Sequence, residues 1–596
     1  MSMRLRVLLP LCLCAISTVG AQERFVTQYL VVPTFAGADR HLASRAADIV
    51  RDRVADAFPK SELRVTSRSD VSQWLRLSGF DAATQLSETE LRELATKFRS
   101  DERITGTVSA LDGQVVVRAK LSLIRDLALT QPFIAEGANI DVAAKAVAAD
   151  VIAARRQFGP LRRCENFERS GAHQQAARAA QDGVIAYPPA VPARICLLRA
   201  LKQLDAKPDT LRSVARAVLS IAPGNPVALA YLSDALEQLG DRAGSADAAI
   251  RLLATDSTNE SLIESVVTTL SRLGFTQRAA PIIDRGSDLH ADNLPLLKLR
   301  WLVHLANEEW KPAIAAGEKM REVDRAAQAD PDFFSRLARA YRADSQPTRA
   351  LAVAATGVAA FPLDARLFVV YLQLLRAEND AALTRGLAAM PTSPELHAFA
   401  AQQLKASGNV AAAITETRRA AAADPSLPHA YLQLAQLEID AGHPDSATAA
   451  LQDALAHGED AHVVAQFALA RGNAAYKAAT ASRKRDDFQR ALSLLALAAR
   501  VEPTPEARFL VGASSLSIGQ AAAAEAPITR SCDLSRLAES SLREAETNLS
   551  DGGSAAPEAA RQYLDYVARL RPYVENQLKA FCNAASPSQR VPGHGL

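Results

Sequence analysis

Few residues in this chain stand at spacings that support chemistry, and the patterns present suit binding better than turnover. The nearest approach to a metal set is His457-Gly-Glu-Asp-Ala-His462, where two imidazoles and two carboxylates could ligate zinc. A five-residue spacing of this kind reads more readily as a polar connection between helices. Gly512-Ala-Ser-Ser-Leu516 carries a serine after a glycine but lacks the second glycine of a nucleophile elbow. No glycine-rich loop ends in Lys-Ser or Lys-Thr, and no His-Glu-x-x-His helix occurs. Glu308-Glu309 and Asp486-Asp487 pair carboxylates, but neighbours on a helix point in different directions, which suits acid–base work poorly. The chain therefore reads as a non-enzyme needing no cofactor and no metal. Cysteine is the remaining reactive type: Cys164, Cys196, Cys532 and Cys582 follow the amino-terminal segment. Sequence order pairs Cys164 with Cys196 and Cys532 with Cys582 as disulfides, and four buried thiols on helix faces are the alternative.

The elements that carry these residues repeat. Gly408 and Gly442, Ala413 and Ala447, and Ala420 and Ala454 each stand 34 positions apart, the period of a helix–turn–helix unit. The glycine closes a first helix, and the alanines let a second helix approach closely and pack against the next unit. About ten such pairs are expected between Gly159 and Ser531, with a divergent stretch from Asn259 to Glu322 held to helix spacing by Leu297, Trp301 and Leu305. Helices near Leu534–Asn548 and Pro557–Phe581 close the array around a loop at Asp551-Gly-Gly-Ser554, and Asn583–Leu596 reads as a disordered tail.

Ahead of the repeats the period changes. Tyr29–Phe35 reads as a buried strand, Asp39–Phe58 as an amphipathic helix, and Leu63–Thr66 as a second short strand. Ser69 or Asp70 caps the next helix, and Ser87–Glu90 forms a capping box. Asp112-Gly113 joins two strands. In the second of these, Val115, Val117, Ala119 and Leu121 alternate with Val116, Arg118, Lys120 and Ser122, so one face is buried and the other mostly polar. A weaker strand covers Pro132–Asn139, and Asp141 caps a helix running to Gln157.

The first residues read as an export signal. Arg4 and Arg6 precede the apolar run Val7–Val19, and small residues through Ala21 offer a cleavage site, which places the mature protein in the periplasm or outside the cell. A formal charge of +2 gives no broad field, so nucleic acid and membrane surfaces are not favoured as partners, and no later apolar run is long enough to make an integral membrane protein.

Two resemblances sharpen this outline. Leu30-Val-Val-Pro33, Val65-Thr-Ser-Arg-Ser-Asp70 and Ile104-Thr-Gly-Thr-Val108 resemble the TolB-like amino-terminal domain of bacterial envelope proteins, which implies an assembly or recognition module without a catalytic set. Ala338, Tyr341, Ala350 and Pro362, followed by Ala401, Leu404, Ala413, Ala420 and Pro425, resemble tetratricopeptide repeats. The expected fold is an α+β amino-terminal domain followed by an all-α superhelical solenoid of tetratricopeptide-type helix pairs. Its expected divisions are a signal peptide at 1–21, a TolB-like domain at 22–157, repeats at 158–531, capping helices at 532–582 and the tail at 583–596. In such an array the first helix of each pair lines a concave groove. The resemblance thereby implies a partner-binding row of Ser335, Arg339 and Arg342, then Gln402 and Lys405, then His429, Gln436 and Asp440. The basic position that the chaperone-tail-binding subgroup uses is Ser335, Ala398 or Leu432 here, which argues against that activity. The preferred reading is an exported scaffold that binds peptide or protein segments. An enzyme or enzyme subunit acting on cell-wall glycan, with the repeats as substrate tether, is the alternative. A third reading, a small ligand recognised by the amino-terminal domain and relayed by the repeats, has no residue pattern behind it.

Overall fold

The computed structural model describes residues 27–81, 85–111, 113–375 and 379–582; the expected leader, Asp112 of the hairpin and the expected tail lie outside them. The chain forms two compact units, one through Ala316 and one from Gly317. Among the described residues no helix is long and apolar enough to cross a membrane.

The first unit opens with β1 (Gln28–Val31), β2 (Ala36–Gly37), α1 (Arg40–Ala57), β3 (Leu63–Val65), α2 (Arg68–Leu77) and α3 (Glu88–Lys97). The hairpin strands β4 (Glu102–Leu111) and β5 (Gln114–Leu123), then β6 (Asp126–Gly137) and α4 (Ile140–Ala154), follow. The strands lie in the order β3-β1-β4-β5-β6, with β2 also on β4. Helical crossovers make β3, β1 and β4 parallel, and short turns make β4, β5 and β6 antiparallel. Hydrogen bonding in β1 stops at Val31, earlier than the apolar run, because Pro33 has no N–H to give. One face of the sheet, with Ile104, Val117 and Leu121, packs under Ala46, Val50 and Val54 of α1 and Val147 and Val151 of α4.

Local capping differs from expectation at two helices. Ser67, not Ser69 or Asp70, caps α2 by accepting from Asp70 N, while its hydroxyl donates to the Asp70 carboxylate. Asn139, not Asp141, caps α4. Asp141 lies in the first turn and takes two hydrogen bonds from Arg45 of α1, which hold its carboxyl below the usual range. The Ser87–Glu90 capping box forms in both directions. Strand β6 begins at Asp126, well before Pro132.

A buried polar seam joins this domain to the repeats. Arg155, just after α4, donates to the carboxylate of Glu102 at the start of β4, and both are buried. The guanidinium lies over the rings of Phe58 and Phe158. Beside it, Gln131 Oε1 accepts from Gln157 Nε2 (3.3 Å) and from Val191 N (2.9 Å), and Gln157 Oε1 accepts from Ala193 N. Val191 opens the third repeat helix, so strand β6, the end of α4 and the solenoid share one hydrogen-bonded core.

From α5 (Phe158–Arg169) and α6 (His173–Ala186) to the helices Ala461–Ser482 and Arg485–Val501, ten helix pairs succeed one another among the described residues. The second and third pairs are α7 (Val191–Gln203) with α8 (Pro208–Leu219), and α9 (Pro226–Gln238) with α10 (Arg242–Leu253). A disulfide between Cys164 and Cys196 ties α5 to α7. The divergent stretch is helical too. Its period survives in the caps: Asn225, Asn259 and Asn293, 34 residues apart, each accept from the backbone N–H three residues on.

In the second unit Gly408 and Gly442 end their helices at φ +80°, a conformation open to glycine. Ala413, Ala420, Ala447 and Ala454 are buried at helix contacts. The array closes with Pro505–Thr529, Cys532–Gly552 and Pro557–Cys582, the last two joined by a Cys532–Cys582 disulfide. The loop expected at Asp551–Ser554 is instead the end of a helix and one 3-10 turn. Gly552 serves close packing there, since a Cβ would come within 2.4 Å of Phe509 N.

Burial pushes the Glu102 carboxyl above its ordinary range, and Arg155 opposes that shift. Arg155→Met strands a buried carboxylate, so the first unit should lose about 3–5 kcal/mol at neutral pH. With the counterion gone, Glu102 binds its proton more tightly folded than unfolded. The deficit should therefore be small in acid and grow as pH rises above the usual carboxylate range, as denaturant titrations at pH 4.5 and 8 would show.

Candidate functional site

The helices that open three successive pairs of the second unit, Pro394–Ala406, Ala430–Asp440 and Ala461–Ser482, share a face. The 34-residue period puts Gln402 and Gln436 at equivalent places on the first two. Together the three helices enclose a groove of about 390 Å³, lined by Gln402, Lys405, Leu432, Gln436, Phe467 and Arg471 among others. Thr417 closes its floor from a second helix, its hydroxyl donating back to Ala413 O.

Three of the eight expected binding residues, Gln402, Lys405 and Gln436, thus come together, and Asp440 adjoins them. Gln436 Nε2 donates to Asp440 Oδ1 at 2.6 Å, and Lys405 Nζ lies 4.0 Å from Asp440 Oδ2. The amide oxygen of Gln436 is buried without a partner, an acceptor left unsatisfied beside the groove. Arg471 lies over the Phe467 ring at 5.5 Å, a flat cationic platform suited to carboxylates and peptide planes.

The other four lie elsewhere. Ser335 is only 6% exposed, on the packed side of Pro331–Ala343, and offers nothing to a groove. Arg339 and Arg342 on that helix are exposed but do not line this cavity. His429 stands before its helix at φ +58°, with Nδ1 2.8 Å from Glu459 and its backbone N–H donated to the same carboxylate. Its role is to anchor the helix start to the following turn. The two histidines of the candidate metal segment have separate partners: His457 stacks on Tyr431 at 5.1 Å, and His462 Nδ1 lies 2.9 Å from Glu502. Burial, then Asp453, pushes the Tyr431 hydroxyl pKa up.

Sequence reasoning missed Phe467 and Arg471. The signal was available, because they stand 35 and 34 residues after Leu432 and Leu437, continuing the period into a helix of 22 residues. Glu459 stands 34 residues after Pro425 where the repeat would carry a proline, and this change and the longer helix conceal the continuation.

No family model matches this chain. No curated protein matches it in sequence. Among solved structures it is similar to a tetratricopeptide repeat protein from Parabacteroides merdae, at 11% identity and a TM-score of 0.26 over 48% of this chain and 99% of that one. It is similar to YrrB, described as a TPR protein with an unusual peptide-binding site, at 15% identity and a TM-score of 0.26 over 32% and 96%. PilF of Pseudomonas aeruginosa matches at 10% identity and a TM-score of 0.24 over 37% and 96%.

Gln436 exchanges folding stability for a binding group if its orphaned oxygen belongs to a ligand. Gln436→Met removes the unpaired acceptor together with one exposed hydrogen bond. Thermal unfolding should show a change within about 1 kcal/mol of zero, on the neutral or stabilising side.

Proposed function

We propose that this chain is a non-enzymatic tetratricopeptide-repeat scaffold, carrying a TolB-like amino-terminal domain, that holds an extended segment of a partner protein in the groove around Gln436. The observation that carries the reading is the row of Lys405, Gln436 and Arg471 on the first helices of three successive pairs, lining one groove, with the Gln436 amide oxygen buried and unpaired. An extended backbone supplies N–H donors to such an amide, and an acidic side chain matches the cations. The setting is the periplasm or the cell exterior. That assignment draws on Arg4, Arg6 and the apolar run Val7–Val19, and on two disulfides, which persist in oxidising compartments.

Selection of displayed random peptides on the folded protein tests the reading. Enriched peptides should carry Asp or Glu, and a Lys405→Glu, Arg471→Glu double variant with unchanged unfolding midpoint should bind them at least tenfold more weakly. Equal binding by the variant would remove the groove as the working surface.

A further inference from the structure

The polar face of the hairpin, which strand alternation assigns to solvent, is the floor of a cleft in the first unit. Strand register aligns Arg103, Thr105 and Thr107 of β4 with Ser122, Lys120 and Arg118 of β5. Pro132 and Ile134 of β6 continue the same face. Leu86 and Leu91 wall it on one side, and Ile221 and Pro223, in the turn between α8 and α9, cover it from the repeats. The turn is held there by Asn225, whose side-chain amide donates to Ala128 O at 2.9 Å. Two adjoining cavities of about 990 and 1040 Å³ result, sharing Lys120, Pro132, Ile221 and Pro223.

The smaller cavity has one chemical character. Leu86, Leu91, Pro132, Ile134 and Ile221 give it apolar walls, and Ile134 is 56% exposed into it and the solvent beyond. Arg118 and Lys120 are its charged residues, and no carboxylate lines it. Among the described residues the Lys120 ammonium has no hydrogen bond or ion pair, and Arg118 reaches only Ser109 Oγ at 3.4 Å. Opposite Lys120, the hydroxyl of Thr105 is buried and unpartnered. Next on the same face stands Arg103, only 3% exposed, its Nη2 donating to Glu88 and its Nε paired with nothing. Glu88 and Asp256 are the acids of the larger cavity, so negative charge is confined to that side. Unpaired buried donors beside unopposed cations mark a place where an anion completes the hydrogen bonding.

We propose that this cleft binds a small amphipathic anion: one carboxylate held by Lys120, Thr105 and Arg118, on an alkyl body lying against Leu86, Leu91, Ile134 and Ile221. The size of the cavity suits a compact organic ligand. The charge arrangement excludes a cationic or a purely apolar one.

The probe is dodecanoate, titrated below its micellar concentration into the full chain by calorimetry, with dodecanol as the uncharged counterpart. The expected result is a single saturable site for dodecanoate, at least tenfold weaker binding of dodecanol, and at least tenfold loss in Lys120→Glu. Lys120 is exposed, so that variant keeps its fold, which an unchanged unfolding midpoint verifies; Ile221→Asp should reduce binding through the apolar wall independently. The Lys405→Glu, Arg471→Glu variant should bind dodecanoate as the parent does, since the groove of the second unit is a separate site. Absence of saturable dodecanoate binding, equal binding of dodecanol, or indifference to Lys120→Glu would each overturn the proposal.

Discussion

The buried pair between Arg155 and Glu102 is the constraint on which the first unit depends. A carboxylate at the start of a central strand and a guanidinium at the end of a helix have left water together, and neither is tolerable there without the other. Because the two belong to different layers, the pair sets one register between sheet and helix. The glutamines beside it extend that register outward: Gln131 and Gln157 each bind a backbone N–H of α7, so the third repeat helix starts where the sheet dictates. The turn at Ser220–Pro226 lies two helices further on, past α7 and α8. Its position over Lys120 and Ile134 is fixed by the Asn225 side-chain amide, which donates to Ala128 O of β6.

The second unit holds together by different means. Its pairs rely on small residues at crossings and on helix ends that turn through glycine at Gly408, Gly442 and Gly458, so stability is assembled between neighbours. In the longer helices too, glycine permits close approach. A Cβ on Gly472 would lie 2.8 Å from Leu495, and one on Gly512 2.7 Å from Leu549. Long helices packed this closely, with the Cys532–Cys582 bridge across the last two, provide a closed end to an otherwise open stack.

Much of the fold was legible because its signals are local. The 34-residue recurrence of Gly and Ala, the Ser87–Glu90 box and the alternation in Val115–Leu123 each reflect contacts made within a few residues or with an adjacent element. Helix caps were harder, since Ser67 competes with Ser69, and Asn139 with Asp141, within a single turn. Asp141 was unavailable as a cap for a reason no local rule contains: Arg45, nearly a hundred residues earlier, engages its carboxylate. The groove was half legible. Gln402, Lys405 and Gln436 follow from the repeat register, but Ser335 shows that register alone does not say which side of a helix its neighbours will cover.

The sequence by itself determined the periods, and with them the order of sheet and helix pairs, because hydrophobic spacing and turn chemistry act over short stretches of chain. Only the tertiary structure decided which polar residues face a cavity. Arg118 and Lys120 carry the pattern of a solvated strand face, and nothing near them in the chain announces a roof. That roof is supplied by Ile221 and Pro223, about a hundred residues later, in a turn held by the Asn225 amide on Ala128 O. Whether an alternating face meets water or a ligand depends on long-range packing, to which the spacing within a strand is blind.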